Sequence, residues 1–423
     1  MARTRTRRLR RAGVMAAVLC TATVSAATLP AHAAPEGRIS GAGAPGSVTG
    51  SYLVTLEKGT AARSAVGRDL VQRHGARISH TYGTVLNGYA IRADAREAAR
   101  LAADPRVASV TQDTRVTPAW TPGTPKEPQK PQEPQEPQKT PNNTQQHPPS
   151  WGLDRVDQRD LPMDERYTTP ATAGAGVTVY VIDTGVRISH HDFGGRARHG
   201  WDFVQNDRTA QDGNGHGTHV AGIIAGKTHG VAKRARIVSV RVLDDNGSGT
   251  TAQVIAGIDW VTRNAVRPAV ANLSLGGFHN AQLNDAVRKS IASGVSYTVA
   301  AGNEGTAAAL YSPAGVKQAI TVGATDRQDK KPAFSNHGSA LDLFAPGVSI
   351  TSASAVSDTG QVTASGTSMA SPHAAGAAAL YLAEHRRVTP AQVANALVRE
   401  ATGGKVSDRG LGSPNRLLRT PTR

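Results

Sequence analysis

Ser368 stands in the stretch TASGTSMASPH (Thr363–His373), just where a run of small and apolar residues with helical character begins. A lone serine hydroxyl is a poor nucleophile at neutral pH. It needs a base within hydrogen-bond reach and a further group to hold that base. Two other stretches offer such partners. VTVYVIDTGV puts Asp183 at the carboxyl end of an apolar strand pattern, with Gly185 allowing a sharp exit. DGNGHGTHVAGIIAG puts His216 between two glycines as a helix of small residues begins, where other backbones can come close. Taken singly, each has a plain structural reading: an N-cap serine, a core histidine, a carboxylate that caps a turn. Taken together they could form an acyl-transfer centre. A helix start at Ser368 adds free N–H groups and a positive dipole end, which suit the oxyanion formed when serine attacks a carbonyl.

The elements that must position these residues are legible in outline. From Trp151 onward, β-branched runs (VTVYVID, ARIVSVRVL, AVANLSL, VSYTVAAG, AITVGA) alternate with helical stretches (HVAGIIAG, AQVIAGIDWVTRNAV, NDAVRKSIASG). That texture predicts a parallel sheet covered by helices on both faces. In such sheets ligands bind beyond the carboxyl ends of the strands. SMASPHAAGAAALYLAEH predicts a further helix, with Pro372 in its first turns. Ahead of this region, SYLVTLE alternates as a strand does. Ala61–His74 has helical spacing, with Val66, Leu70 and Val71 on one side. ARISHTY and GYAIRA read as strands, DAREAARLAADP as a helix stopped at Pro105, and RVASVTQD as a last strand. The order βαββαβ predicts a small ferredoxin-like plait. Between the two parts, Thr121–Ser150 repeats Pro-Gln triplets with Glu or Lys between, which predicts an extended, solvated spacer.

VIDTGV, GNGHGTHVAG and SGTSMASPH together resemble the three signature blocks of the subtilisin-like serine proteases, in that family's Asp, His, Ser order. WGLDRVDQRDLP, VLDDNGSGT, NLSLGG, AAGNEG, YSPAG and FSNHGSALDLFAPG extend the resemblance to the proteinase K and aqualysin branch, across residues 147–423. The resemblance implies an α/β, three-layer subtilisin-like fold with a mostly parallel sheet. A small ferredoxin-like α+β domain precedes it, in the place of the family's inhibitory propeptide. The implied division is signal peptide 1–33, flexible segment 34–50, propeptide domain 51–120, Pro/Gln-rich linker 121–146 and catalytic domain 147–423.

The same resemblance implies a secreted serine endopeptidase, made as a zymogen that cuts itself near Val116–Thr121. Ser368 is then the nucleophile, His216 the base, and Asp183 the group that holds the imidazole; His219 is structural. Asn303 and the N–H of Ser368 form the oxyanion hole. Asn246, Gly247, Ser248 and Gly249 resemble one edge of the substrate cleft, and Ser274, Leu275, Gly276 and Gly277 the other, with a peptide adding between them as a strand. The pocket for the residue before the scissile bond is expected to be lined by Ser274–Gly276, Ala300, Ala301, Gly302 and Tyr311. With no acid on its floor, broad cleavage after aliphatic and aromatic residues is expected. Asp342, with the carbonyls of Lys317 and Ala319, resembles a calcium site.

Composition narrows the alternatives. Net charge is +16, but six of the arginines lie in residues 1–33. No stripe of basic and aromatic residues accompanies the surplus, so a solvated basic surface is expected and no nucleic-acid partner. The Arg-rich start, a short apolar run diluted by Thr and Ser, and Ala31-His32-Ala33 read as a secretory signal cut after Ala33, not as a membrane anchor. Arg7-Arg8 and Arg10-Arg11 leave twin-arginine export open. Cys20 is the only cysteine and lies in that signal, which excludes disulfides, cysteine-protease chemistry and thiolate–zinc sites from the exported protein. The expected partners are polypeptide substrates and the chain's own propeptide, in a monomer. An esterase needs a G-x-S-x-G elbow, which Ser365-Gly366-Thr367-Ser368 does not supply. A binding protein that kept only the fold is disfavoured, because every catalytic position is filled.

Overall fold

The computed structural model describes residues 36–122 and 143–421; the expected signal peptide with Cys20, and the middle of the expected linker, lie outside the described residues. The first part contains β1 (Ser47–Leu56), α1 (Ala65–Arg73), β2 (Arg77–Tyr82), β3 (Gly88–Arg92), α2 (Ala95–Ala102) and β4 (Val107–Pro118). These make an antiparallel sheet in the order β4-β1-β3-β2, the ferredoxin-like plait that the pattern predicts. Its helices start at side-chain caps. Ser64 accepts the N–H of Gly67, and Asp94 and Glu97 cap each other's backbone. Two details differ from expectation. The buried face of α1, which begins at Ala65, is Gly67, Leu70 and Val71, and Val66 is 59 % exposed. The segment expected to be flexible contributes Ile39–Ser40 to the sheet, paired with Val110 and Thr111.

The second part is built on a nine-stranded sheet. Its strands are β6 (Thr178–Asp183), β7 (Ala197–Asp202), β8 (Arg236–Arg241), β10 (Ala269–Leu273), β12 (Ser296–Ala300), β13 (Ile320–Thr325), β14 (Leu343–Pro346), β16 (Thr402–Gly403) and β17 (Arg416–Leu417). The spatial order is β7-β8-β6-β10-β12-β13-β14-β17-β16, parallel except for the last pair. All residues of β6, β10, β12 and β13 are buried, as continuous β-branched runs require when both faces are covered. Helices α4 (His216–Ala225) and α7 (Thr367–Glu384) pack on one face. Helices α5 (Thr251–Asn264) and α6 (Ala281–Ala292) pack on the other. α7 is buried along nearly its whole length and is apolar all round, as a central helix must be. Pro372 within it has no N–H to give the Ser368 carbonyl; the Ser274 hydroxyl donates there instead, at 2.9 Å.

The plait docks on α5 and on two short edges, β9 (Gly249–Thr250) and β11 (Leu275–Phe278). β4 lies antiparallel between them, with Val116 opposite Gly249 and Pro118 opposite Leu275. Asp113 accepts the N–H of Ala252 at 3.0 Å, at the buried amino end of α5. Asp259 accepts three successive N–H groups, from Gly83, Thr84 and Val85. The Tyr82 hydroxyl donates to the Ala252 carbonyl at 2.9 Å.

After β4 the chain continues as β5 (Thr121–Pro122), antiparallel to β15 (Gln361–Ser365). Beyond the undescribed stretch, Thr144–Gln146 pairs with Arg166–Thr168. Both ends of the expected linker are therefore strands. Among the described residues, no helix is long and apolar enough to cross a membrane.

Candidate active site

The carboxyl ends of β6 and the amino ends of α4 and α7 meet at one cleft. Asp183 ends β6 and is fully buried, and one of its oxygens lies 2.6 Å from His216 Nδ1. The same oxygen accepts the Thr184 N–H at 2.7 Å, which holds it toward the ring. His216 opens α4. This placement depends on Gly217, where a Cβ would stand 2.0 Å from the Gly185 carbonyl oxygen. Asp212 ties the loop before it, accepting N–H groups of Asn214, Gly215 and Thr218. Asn214 and Gly215 thus present His216 on a turn that the helix alone would not form.

Ser368 is the second residue of α7 and is fully buried. Its hydroxyl donates to the Ser274 carbonyl at 2.8 Å. His216 Nε2 is buried and has no hydrogen-bond partner among the described residues. The structure therefore joins Asp183 to His216, while the hydrogen bond of the Ser368 hydroxyl goes to Ser274 and not to the ring. Below Ser368 runs a buried network: Asn272 Nδ2 donates to Ser274 Oγ, and Thr298 and Ser371 donate to Asn272 Oδ1. It fixes the floor on which Ser368 sits.

The chain's own backbone occupies the cleft. The Ala119 carbonyl accepts the N–H of Ser368 at 3.1 Å, and Ala119 N–H points to the Ser274 carbonyl at 3.4 Å. Trp120 lies edge-on to His216, with ring centroids 4.9 Å apart. The carbonyl of the Ala119–Trp120 bond thus meets the amino end of α7. Gly366, with φ of +153°, makes room, since a Cβ there would be 2.3 Å from the Ala119 oxygen and 3.0 Å from Asn303 Nδ2. Asn303 Oδ1 accepts both the N–H and the hydroxyl of Thr367, at 3.0 and 2.8 Å. Its oxygen being engaged there, the NH2 group is left on the side of the Ala119 carbonyl.

The cleft edges divide the expected substrate residues. Leu275 and Gly276 pair with Pro118 and Thr117, and a Cβ at Gly277 would lie 2.8 Å from the Arg115 carbonyl. Gly249 pairs with Val116, and Gly247 packs against Pro118. Asn246 and Ser248 instead shape the turn, each giving its N–H to Asp244. Beneath Ala119 a small cavity of about 30 Å³ remains, lined by Leu275, Gly276, Gly302, Glu304, Tyr311 and Ala314 among others. Ala300 and Ala301, expected to line it, are buried and are not among its lining residues. One acid is among the residues lining this pocket, the exposed Glu304, held by Asn336 Nδ2 at 2.7 Å. Burial, then the Glu304 charge, pushes the neighbouring Tyr311 phenol up.

His219 is fully buried, with Nε2 at 3.1 Å from the carbonyls of both Ile350 and Val362. Burial, and then the nearby His216, push its pKa down to about 3, which favours the neutral ring. Asp342 gives one oxygen to the Thr321 N–H at 2.8 Å, and burial pushes its carboxyl up to about 6. Residues missed in the sequence include Trp120 and Gly366, whose roles arise only from how the pro-segment threads the cleft.

Comparison with known proteins decides the family. The subtilase family model matches residues 174–415, over half of the chain, and the peptidase inhibitor I9 model matches residues 51–119. This chain belongs to the subtilase family. It is a subtilisin-like serine proteinase that carries an I9 propeptide domain at its amino end. An extracellular serine proteinase of Thermus sp. (strain Rt41A) is 46 % identical over 412 residues, 93 % of this chain and 94 % of that one. Alkaline serine exoprotease A of Vibrio alginolyticus is 54 % identical over 63 % of this chain and 49 % of its own. The crystal structure of a cold adapted subtilisin-like serine proteinase is 53 % identical, with a TM-score of 0.63 over 64 % of this subtilase and 98 % of that chain. The I9 match ends at Ala119, the residue whose carbonyl meets Ser368.

Proposed function

We propose that this subtilase is an exported endopeptidase that uses Ser368, His216 and Asp183, and that its first substrate is its own Ala119–Trp120 bond. One observation carries the reading: the Ala119 carbonyl sits on the N–H of Ser368, in a strand inserted between β9 and β11. Ser368 turns from the Ser274 carbonyl to His216 Nε2, gives it the hydroxyl proton, and attacks the Ala119 carbonyl carbon. Asp183 keeps Nδ1–H in place and stabilises the imidazolium. The Ser368 N–H and Asn303 NH2 take the oxyanion. Collapse breaks the C–N bond, and His216 hands its proton to the departing Trp120 amine. Water then cleaves the acyl-enzyme by the same steps, and external peptides follow the route of the pro-segment. Export of the chain is supported by the names of the relatives, extracellular proteinase and exoprotease. The proposed domain limits place the pro-part at 51–119 and the catalytic part from 147.

Backbone pairing at Leu275, Gly276 and Gly249 binds without asking for particular side chains, so cleavage is broad. The residue before the cut meets Leu275, Tyr311 and glycines, which favours aliphatic and aromatic side chains. Glu304 at the pocket adds tolerance for a basic one. Glu304→Gln should leave kcat/KM for a Phe or Leu substrate within about twofold. It should lower kcat/KM for a Lys substrate about fivefold, the scale of one partly screened charge pair near 1 kcal/mol. Equal change for both substrates would remove Glu304 from specificity.

Calcium at Asp342, with the carbonyls of Lys317 and Ala319, fits the residues present. A buried carboxyl whose pKa is raised to about 6 by desolvation gains from a cation, and hard oxygen donors suit calcium. Among the described residues there is no cluster of three or more His, Cys, Asp or Glu placed for a metal, so such a site relies on carbonyls. The ion would tie the loop before β13 to the start of β14. A chelator should lower Tm by several degrees, and Asp342→Asn should remove most of that response. An unchanged thermal scan in chelator would eliminate the site.

A further inference from the structure

The three residues after Ala119 are held against the catalytic part. The Trp120 ring packs on His216, and is 6.3 Å from His219 by ring centroids. Thr121 and Pro122 pair with Ser365 and Ala364 of β15. β15 is itself fixed from its other edge by Ile350–Ala353, and Ser352 of that strand donates to the His219 carbonyl at 2.8 Å. Cutting Ala119–Trp120 removes none of these contacts.

The same segment is anchored again downstream. Thr144–Gln146 pairs with Arg166–Thr168, Thr169 N–H donates to the Asn143 carbonyl at 3.0 Å, and Gln145 Nε2 donates to the Thr228 carbonyl at 3.1 Å. The chain between Pro122 and Asn143 is therefore a covalent tether joining two points on one body.

We propose that self-cleavage leaves Trp120–Pro122 bound on the leaving-group side of the cleft, where it blocks that side against substrates and accepts acyl groups from Ser368. This rests on the reading that Ser368 cuts Ala119–Trp120. The new Trp120 amine stands where it left, so the reverse step is open to it. In that step the nitrogen attacks the acyl carbon on Ser368, the C–N bond forms as the C–O bond breaks, and the amine proton passes through His216 Nε2 to Ser368 Oγ. The only co-reactant is an acyl donor such as a small peptide ester. The processed chain is thus a second latent form, released in full only when the connection between Pro122 and Asn143 is severed.

The test uses the full chain processed at nanomolar concentration, where cutting within one molecule proceeds and cutting between molecules is slow. The pro-domain is then removed, and the protein is mixed with an N-blocked peptide ester. The intact mass is expected to rise by one acyl group, mapped to the Trp120 nitrogen, with a yield that grows as pH passes the α-amine range near 8. The Trp120→Ala chain should show a severalfold lower yield. In parallel, when the sample is concentrated and the chain is cut past Pro122, KM for a long quenched-fluorescence peptide spanning both sides should fall severalfold at constant kcat. Ester hydrolysis with no acylated Trp120, together with an unchanged KM, overturns the proposal. An amino terminus other than Trp120 overturns instead the cleavage reading beneath it.

Discussion

Ser368→Ala should accumulate as an uncut chain with its pro-part still covalently joined. The substitution deletes one hydroxyl, whose visible bond is to the Ser274 carbonyl at 2.8 Å. Losing one such bond costs about 1 kcal/mol, too little to unfold a body of this size. The Asp183–His216 pair, the network at Asn272 and the docking of β4 between β9 and β11 do not depend on that oxygen. Folding should therefore survive while chemistry stops. The expected fall in kcat is on the order of 10⁶-fold, the size found when the nucleophile of subtilisin itself is removed. Intact mass and a casein assay on the purified variant read both effects. A variant that still shortens itself in isolation contradicts the role of Ser368.

Asn303→Ala should lower kcat by about 10²–10³-fold with KM little changed, again the scale established for the oxyanion asparagine of subtilisin. The reasoning is geometric. Thr367 donates twice to Asn303 Oδ1, which leaves the NH2 on the side of the Ala119 carbonyl. That carbonyl already has the Ser368 N–H at 3.1 Å, so the side-chain amide matters most when the oxygen becomes an anion. Asn303→Asp is a sharper form of the same test. It keeps an acceptor for Thr367 but puts negative charge where the oxyanion develops, so it should be at least as damaging as Ala. Steady-state rates on one peptide substrate separate the outcomes. A rise in KM at constant kcat would assign Asn303 to ground-state binding.

The parts of this account that were legible in the sequence are those set by short-range patterns. SYLVTLE alternates because one face of β1 is buried, and VTVYVID is apolar throughout because both faces of β6 are. Asp183, His216 and Ser368 could be singled out because each sits at an element end flanked by glycines or small residues. What was not legible depends on distant chain segments. Val66 is left in solvent because the plait core takes the stripe of α1 that runs through Leu70 and Val71. Glu304 adjoins Asn303 in the sequence, yet its position at the pocket depends on Asn336, far along the chain. The hydrogen bond of the Ser368 hydroxyl goes to a carbonyl 94 residues away. Trp120 carries no signal of its own: a tryptophan before a proline-rich stretch acquires meaning only when the strand before it enters the cleft.

The most direct test is the amino-terminal sequence of the first shortened product from purified, freshly folded precursor. The account predicts Trp-Thr-Pro-Gly as the new start, at a first-order rate that does not change on dilution. A first cut at another bond, or a rate that falls with dilution, would mean that the strand seen threading the cleft is not the strand the enzyme cuts.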